Sequence, residues 1–577
     1  MNRISLKIVG QSGSGLNSIG DIVSKALKDL GFYVVTDRDY PSLIMGGASC
    51  FHIDFSSEEI HSNAEKSDIM LALDEQGMVE FLDLAKENSV FVNGYEYHLK
   101  VRKLKEAIEN NGIKEFYIDS EKILEELSAP QIMGNMVILG FFWKVLGLDF
   151  ELIKKVALKR FSKKPDLLVL NEKAIKRGHD ENIKSALEIK IPKEKKDLIL
   201  INSNYAIALG AIHAGLRTFY AYPMSPASSI LAYLAKTEEK TGMLVHQAED
   251  EITAVTLTLG SMYAGSRSMV ATSGGGFDLM TETLSAAGIM ETPLLIVNAQ
   301  RPGPGTGLPT WTSQGDVNLA VNAGHGEFAR IVIAVSGPSS AFKLTQHALN
   351  LTEEFKVPVI LLTEKYLAES KATVEPFKEK EIEIKRGIIT DSEKLKELKS
   401  EDAYAKRKDF RPFRWLPGTS DAYYDLNADE HNDAGMSSES AEDTIKMFKR
   451  RLGKLEQIRK ELPEPEIFGK KEGADISFVG FGSSRMVVED IINEMKKDSV
   501  NVNYLHYEYL WPLKTEKLKE FFKNNKNVHL IEGNYTAQFG KMLENESGLK
   551  FKDKLLKYNG RPFYIEELKT YISSKLS

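Results

Sequence analysis

The chain has 577 residues, 42% of them hydrophobic and 27% charged, with a formal net charge of −7. That length exceeds a single hydrophobic core and predicts several domains, and the charge balance excludes a basic footprint for nucleic acid. A single cysteine, Cys50, excludes an internal disulfide and any cluster or zinc site built from several cysteines of this chain.

The first block, 1–190, opens as strand SLKIVG, a glycine-rich turn with helix QSGSGLNSIGDIVSKALKDLG, and strand FYVVTD. This is the start of a βαβ unit. The dinucleotide fingerprint is incomplete, because its third glycine would fall at Ser18, so the stretch reads as a tight strand-to-helix turn. Cys50, next to GGAS, reads as a small buried apolar residue. Strands SDIMLAL and SVFVNG, a charged helix KVRKLKEAIENNG (100–112) and an apolar helix near 135–148 follow, giving an α/β domain of parallel character. The run MVILGFFWKVLGL (136–148) is too short to span a membrane and is broken by Lys144. With no apolar leader at the N-terminus, a cytoplasmic protein without membrane contact is expected.

In the second block, 191–372, strands alternate regularly with helices, which predicts a mainly parallel sheet covered on both faces. Ligands of such sheets sit beyond the carboxyl ends of the strands. Three loops lie there, YPMSPAS, TSGGGFD and QRPGPGTGLPT, and they are expected to converge, with helix FDLMTETLSAAGIM following the three glycines. Pro226 suits a first helical turn. Ser225, Ala227, Ser228 and Ser229 crowd a helix N-terminus, where amides and dipole attract a carboxylate or phosphate. Ser228 and Ser229 read as caps. Arg301 leaves a strand into a Pro/Gly-rich loop that could aim its fork at a carboxylate. Glu249, Asp250 and Glu251 open a helix, and a helical turn points them in different directions, so one should face inward. His246 reads as structural.

Residues 373–466 are a charged linker, with WLPGTSDAYYDLNADEHNDAGMSSES as a long ordered loop or a disordered insert before helix AEDTIKMFKRRLGKLEQIRKEL. The last block, 467–577, alternates again as a smaller α/β domain.

YPMSPAS resembles the YPITP motif of the 2-oxoacid:ferredoxin oxidoreductase α subunits. HQAEDEITA, ATSGGGFDLMTE and QRPGPGTGLPT resemble that family's QAEDEIAA, TSGPGFSLMXE and RGGPSTGLPT segments. GQSGSG and YPSLIMGGAS are similar to the family's γ domain, and IEGNYTAQF to its ENNXTGQ segment, so nearly the whole chain is covered. The resemblance implies an N-terminally fused γ domain, a thiamine diphosphate pyrimidine-binding domain in the second block and a transketolase-C-terminal-like last domain.

It further implies oxidative decarboxylation of a 2-oxoacid, 2-oxoglutarate or pyruvate, with coenzyme A as co-substrate and electrons passed to ferredoxin. A glutamate of such enzymes bonds the aminopyrimidine and stands nine residues before a glycine. Glu251 has that relation to Gly260, with Glu249 as the second candidate. A carboxyl group in this role must be protonated or share a proton. Tyr222, Ser225, Arg301 and Thr306 take the substrate's place in the motifs, and Pro223, Ser273, Gly274 and Gly276 the cofactor's. The family's GDG segment is absent, GDVN (315–318) being the nearest string with Val317 in third place. With one cysteine as well, Mg2+, the diphosphate site and a [4Fe-4S] cluster are expected on a separate β subunit. The expected assembly is a dimer of αβ heterodimers, and the chain alone is expected to be inactive. Ser225 replaces the family's threonine, Gly275 its proline and Gly305 its serine. The competing reading is a non-catalytic, partner-binding scaffold that retains the fold.

Overall fold

A computed structural model describes residues 3–42, 46–94, 106, 108–161, 165–187, 189–378 and 383–576. Most of the predicted charged helix at 100–112, and residues 43–45 of YPSLIMGGAS, lie outside the described residues. The chain divides into two compact units: residues 1–201, 370–376 and 564–570 form one, and 202–369, 377–563 and 571–577 the other.

Among the described residues of the first unit, one sheet has eight strands. Their order is Lys114–Tyr117, Ala85–Asn93, Ser67–Ala72, Ile4–Gln11, Ala48–Ser56, Tyr33–Asp39, Lys371–Val374 and Ile199–Asn202. The sheet is mixed rather than parallel: Ala48–Ser56 runs antiparallel to both Ile4–Gln11 and Tyr33–Asp39. The reason is the short link 40–47, since a parallel return needs a crossover of a dozen residues or more. The helix Leu16–Asp29 buries Leu16, Ile19, Ile22, Val23, Ala26 and Leu27, a single apolar stripe at helical spacing. Cys50 is a fully buried free thiol.

The second unit carries two sheets among its described residues. The larger is ordered Tyr509–Trp511, Ile331–Ala334, Pro358–Glu364, Leu294–Gln300, Ser268–Thr272, Thr218–Ala221 and Leu244–Gln247. It is parallel apart from Tyr509–Trp511, which runs antiparallel to Ile331–Ala334. Every residue of Ser268–Thr272, Leu294–Gln300 and Pro358–Glu364 is buried, as a sheet covered on both faces requires. Alternation along Leu294–Gln300 sends Leu295 and Val297 to one core with Ala206, Phe342 and Leu349. Leu294 and Ile296 face the other core, with Val255, Phe277 and Leu284. That second core runs on into Val479, Phe481, Leu530 and Phe539. These belong to the smaller sheet and its helix, the sheet being ordered Glu466–Gly469, Val502–Tyr507, Ile476–Phe481, Val528–Glu532 and Asp553–Leu556.

The charged segment after 383 is tied down by a buried carboxylate. Glu353 accepts from Arg267 Nε at 2.5 Å, Arg386 Nε at 2.9 Å and Arg414 Nη1 at 2.7 Å. Such a charge is tolerated inside only when paired and hydrogen-bonded. The stretch 415–440 is an ordered loop with its own small core, in which Trp415 packs with Ala403, Tyr404 and Met447. Among the described residues, no helix is long and apolar enough to cross a membrane.

Candidate active site

The carboxyl ends of the parallel strands Thr218–Ala221, Ser268–Thr272 and Leu294–Gln300 deliver the three loops to one place. Arg301 Nη1 donates to the Ser225 carbonyl oxygen at 2.7 Å, joining the first loop to the third. A Cβ on Gly275 would meet Gly305 O at 3.7 Å, ordinary contact that joins the second to the third.

Asp250 caps the helix Glu251–Tyr263, its carboxylate accepting from Thr253 N at 2.7 Å. With the chain so pinned, the acidic triplet separates. Glu249 is exposed and accepts from Thr253 Oγ1 at 3.0 Å, whereas Glu251 turns inward and is only 4% exposed. Glu251 Oε1 is buried without a hydrogen-bond partner, and Ser273 Oγ likewise. A buried polar atom left unpaired is costly, and Glu251 and Ser273 place two of them beside the converging loops.

The three glycines do not form a loop. They are the first turn of a helix, Gly274–Leu279, and the predicted long helix breaks at Met280 before resuming as Thr281–Met290. The reason is proximity. A Cβ on Gly276 would fall 2.7 Å from Glu251 Oε1 and against Thr272 Oγ1, and one on Gly274 would fall 2.7 Å from Asp316 Oδ2. The helix can run between the two acids only without side chains there.

Two details of the first loop differ from expectation. The helix begins at Ser228, so Pro226 sits in the preceding turn rather than in the first helical turn. Neither Ser228 nor Ser229 caps it: Ala227 holds the cap position without a side-chain bond, and Ser229 Oγ accepts from Asn204 Nδ2 at 2.8 Å. Arg301 reaches the backbone of Ser225, and the exposed Ser225 side chain is left for other use. Tyr222, Pro223 and Thr306 are exposed, Tyr222 to 40%. His246 is exposed, its ring 6.2 Å from that of Tyr220.

Sequence reasoning noticed Asp316 only as part of GDVN. Its carboxylate accepts from Asn298 Nδ2 at 3.1 Å, and its own amide donates to Gln300 Oε1 at 3.0 Å, so the ends of the 301–315 loop are tied together. Burial raises the Asp316 carboxyl from 3.8 to about 6, opposed by the Asn298 bond and by the Arg301 charge. Burial conversely lowers the Arg301 guanidinium, with Asp316 opposing. The polar run QGDVN directly after a Pro/Gly loop was the available signal. A cavity of about 510 Å³, lined by Lys343, His347, His506 and Glu508 among others, contains none of these residues. Together the loops offer a guanidinium and a hydroxyl for an anion, beside a buried carboxyl oxygen with a vacant bond.

Three family models match this chain. Residues 209–446 match "Pyruvate flavodoxin/ferredoxin oxidoreductase, thiamine diP-bdg". Residues 5–181 match "Pyruvate ferredoxin/flavodoxin oxidoreductase", and 474–567 match "Pyruvate:ferredoxin oxidoreductase core domain II". The 2-oxoacid:ferredoxin oxidoreductase subunit alpha of Sulfolobus sp is 30% identical over 620 residues, covering 98% of this chain and 96% of that protein. The 2-oxoglutarate oxidoreductase subunit KorA of Mycobacterium tuberculosis is 25% identical, covering 100% and 92%. A solved structure of 2-oxoglutarate:ferredoxin oxidoreductase from Magnetococcus marinus, with 2-oxoglutarate, coenzyme A and succinyl-CoA bound, superposes with TM-score 0.92 at 28% identity over 100% of both chains.

Proposed function

Because this chain belongs to the 2-oxoacid:ferredoxin oxidoreductase family, we propose that it is the γα-fused subunit of a coenzyme A-dependent member, converting a 2-oxoacid to acyl-CoA and carbon dioxide in the cytoplasm. The observation that carries this is the buried Glu251 Oε1, unpartnered, facing a glycine whose Cβ would fill the space before it. Those residues fit the aminopyrimidine of thiamine diphosphate, which needs one buried carboxyl group at hydrogen-bond distance and bare backbone beside it. When bound, thiamine diphosphate supplies the carbon nucleophile and electron sink for loss of carbon dioxide.

The protein's own part is to present Glu251 Oε1, buried and without a partner, as the atom that bonds the aminopyrimidine and exchanges a proton with it. Ser273, Gly274 and Gly276 line the cofactor's side, with Pro223 at the edge of the first loop. Arg301 and Ser225 receive the substrate carboxylate, and Tyr222 and Thr306 border its path. Preorganised charge of this kind acts before the reaction begins, at no reorganisation cost during it.

A β subunit completes the site with the diphosphate half, Mg2+ and the [4Fe-4S] cluster, and passes electrons to ferredoxin; two αβ pairs form the working enzyme. One cysteine on this chain supports that division. So do Ile252, Leu257 and Leu279, large apolar side chains exposed on the two helices that begin at Glu251 and Gly274. The M. marinus enzyme with 2-oxoglutarate bound favours 2-oxoglutarate as the first substrate to try, with pyruvate beside it.

The test is anaerobic purification with whatever partner accompanies the chain, then viologen reduction with coenzyme A and each 2-oxoacid. Glu251→Gln should lower kcat by about 10²–10⁴-fold, the usual worth of a positioned proton-transfer group. Glu249→Gln should stay within about twofold, because Glu249 faces solvent. Equal losses in both variants, or a partnered complex that turns over neither acid, would leave the scaffold reading in its place.

A further inference from the structure

We infer that Gln314, Asn534 and Gln538 form a positioning device that fixes the 301–316 loop, and with it Arg301, from the far side of the site; the inference rests on the oxidoreductase reading above. Gln314 is 1% exposed and uses its whole amide. Its Nε2 donates to Glu364 Oε1 at 3.0 Å and to Phe481 O at 3.1 Å, while its Oε1 accepts from Gly533 N at 2.8 Å. Its backbone N–H donates to Gly533 O at 2.8 Å, and its carbonyl accepts from Asn534 Nδ2 at 2.8 Å.

Gln538 holds the next step of the loop with both ends of its amide. Nε2 donates to Gly315 O at 2.7 Å and Oε1 accepts from Asn318 N at 2.9 Å. Glu364, at the end of its strand, is held by Thr312 Oγ1 at 2.9 Å and Ser483 N at 3.0 Å. Space for Gln314 is left by two glycines. A Cβ on Gly482, whose φ is +62°, would meet Gln314 Nε2 at 2.6 Å, and one on Gly533 would meet Gln314 Cγ at 3.1 Å.

The loop so gripped starts at Arg301 on Ser225 and closes at Asp316 on Gln300 and Asn298. Residues 303–308 are exposed, and they bring no buried side chain to hold the loop's place. Its placement comes from the 312–318 end, through groups contributed by 364, 481–483 and 533–538, and through Gly560 O, which accepts from Thr312 N at 3.1 Å. The IEGNYTAQF stretch thereby supplies donors and acceptors to a loop far from it in the sequence.

The experiment uses Gln538→Ala in the full complex, because Gln538 is half-buried and its loss need not unfold the chain. Two neutral hydrogen bonds at their usual net worth translate to about a thirtyfold rise in KM for the 2-oxoacid. We expect that rise with kcat within about twofold, KM for coenzyme A unchanged, and faster deuterium exchange confined to 302–318. Unchanged KM, or a fall in kcat alone as from a smaller folded fraction, overturns the inference, as does unchanged exchange. A wild-type complex that turns over no 2-oxoacid would instead refute the oxidoreductase reading, and the exchange measurement would still decide whether 538 locks the loop.

Discussion

Adjacent glycines on the helix Gly274–Leu279 should respond oppositely to the same added methyl group. At Gly276 an added Cβ would lie 2.7 Å from Glu251 Oε1 and 2.9 Å from Glu251 Cγ, besides pressing on Thr272 Oγ1. Both neighbours are buried, so neither can swing clear, and overpacking of this kind costs about 1–3 kcal/mol. Helix preference for alanine over glycine returns about 0.5–1 kcal/mol. With contacts this short the overpacking cost sits near the top of its range, so Gly276→Ala should lose about 2 kcal/mol net. Gly275→Ala, whose Cβ meets only Gly305 O at 3.7 Å, should gain about 0.5–1 kcal/mol. Thermal melting of the two variants side by side reads the difference, and kcat/KM on the 2-oxoacid reads its consequence. Displacing Glu251 at Gly276 should cost activity roughly 10²-fold. A Gly276→Ala protein that melts at or above wild type, or keeps full activity, would show that Glu251 does not sit against that glycine.

Arg301→Lys removes the fork that reaches Ser225 O at 2.7 Å; KM for the 2-oxoacid should rise about ten- to a hundredfold, and steady-state viologen assays check it. Asp316 carries a carboxyl raised from 3.8 to about 6, so its protonated form favours folding, and that contribution fades as pH climbs through about 6. Asp316→Asn should thus gain melting temperature over wild type at pH 7 relative to the same comparison at pH 4; an equal difference at both pH values would refute the assignment.

The local pattern carried the alternation of strands and helices in the second block and the meeting of its three loops, because parallel strands put successive loops at one edge. It could distinguish Glu251 from Glu249 only through resemblance; in the structure the Asp250 cap sets the rotation of the helix, burying Glu251 and leaving Glu249 exposed. Pairings across long stretches of chain were out of reach. Nothing near 371–374 announces that Ala372 will sit opposite Val35, or near 509–511 that Trp511 will pair with Val332. Gln314 was invisible for the same reason, since its partners lie at 364, 481 and 533. A helix beginning at Gly274 is not legible locally, because three glycines are poor helix formers and the acids that require them lie at 251 and 316.

The short antiparallel strand Tyr509–Trp511 borders Ile331–Ala334, all four of whose residues are buried. Remove everything after 466 and that apolar strand would lose its outer neighbour, presenting open amides and carbonyls of the sort that recruit other chains. The second unit is thus poorly suited to division between genes at that point: its two sheets would have to meet as they emerge, or the first would stick to copies of itself.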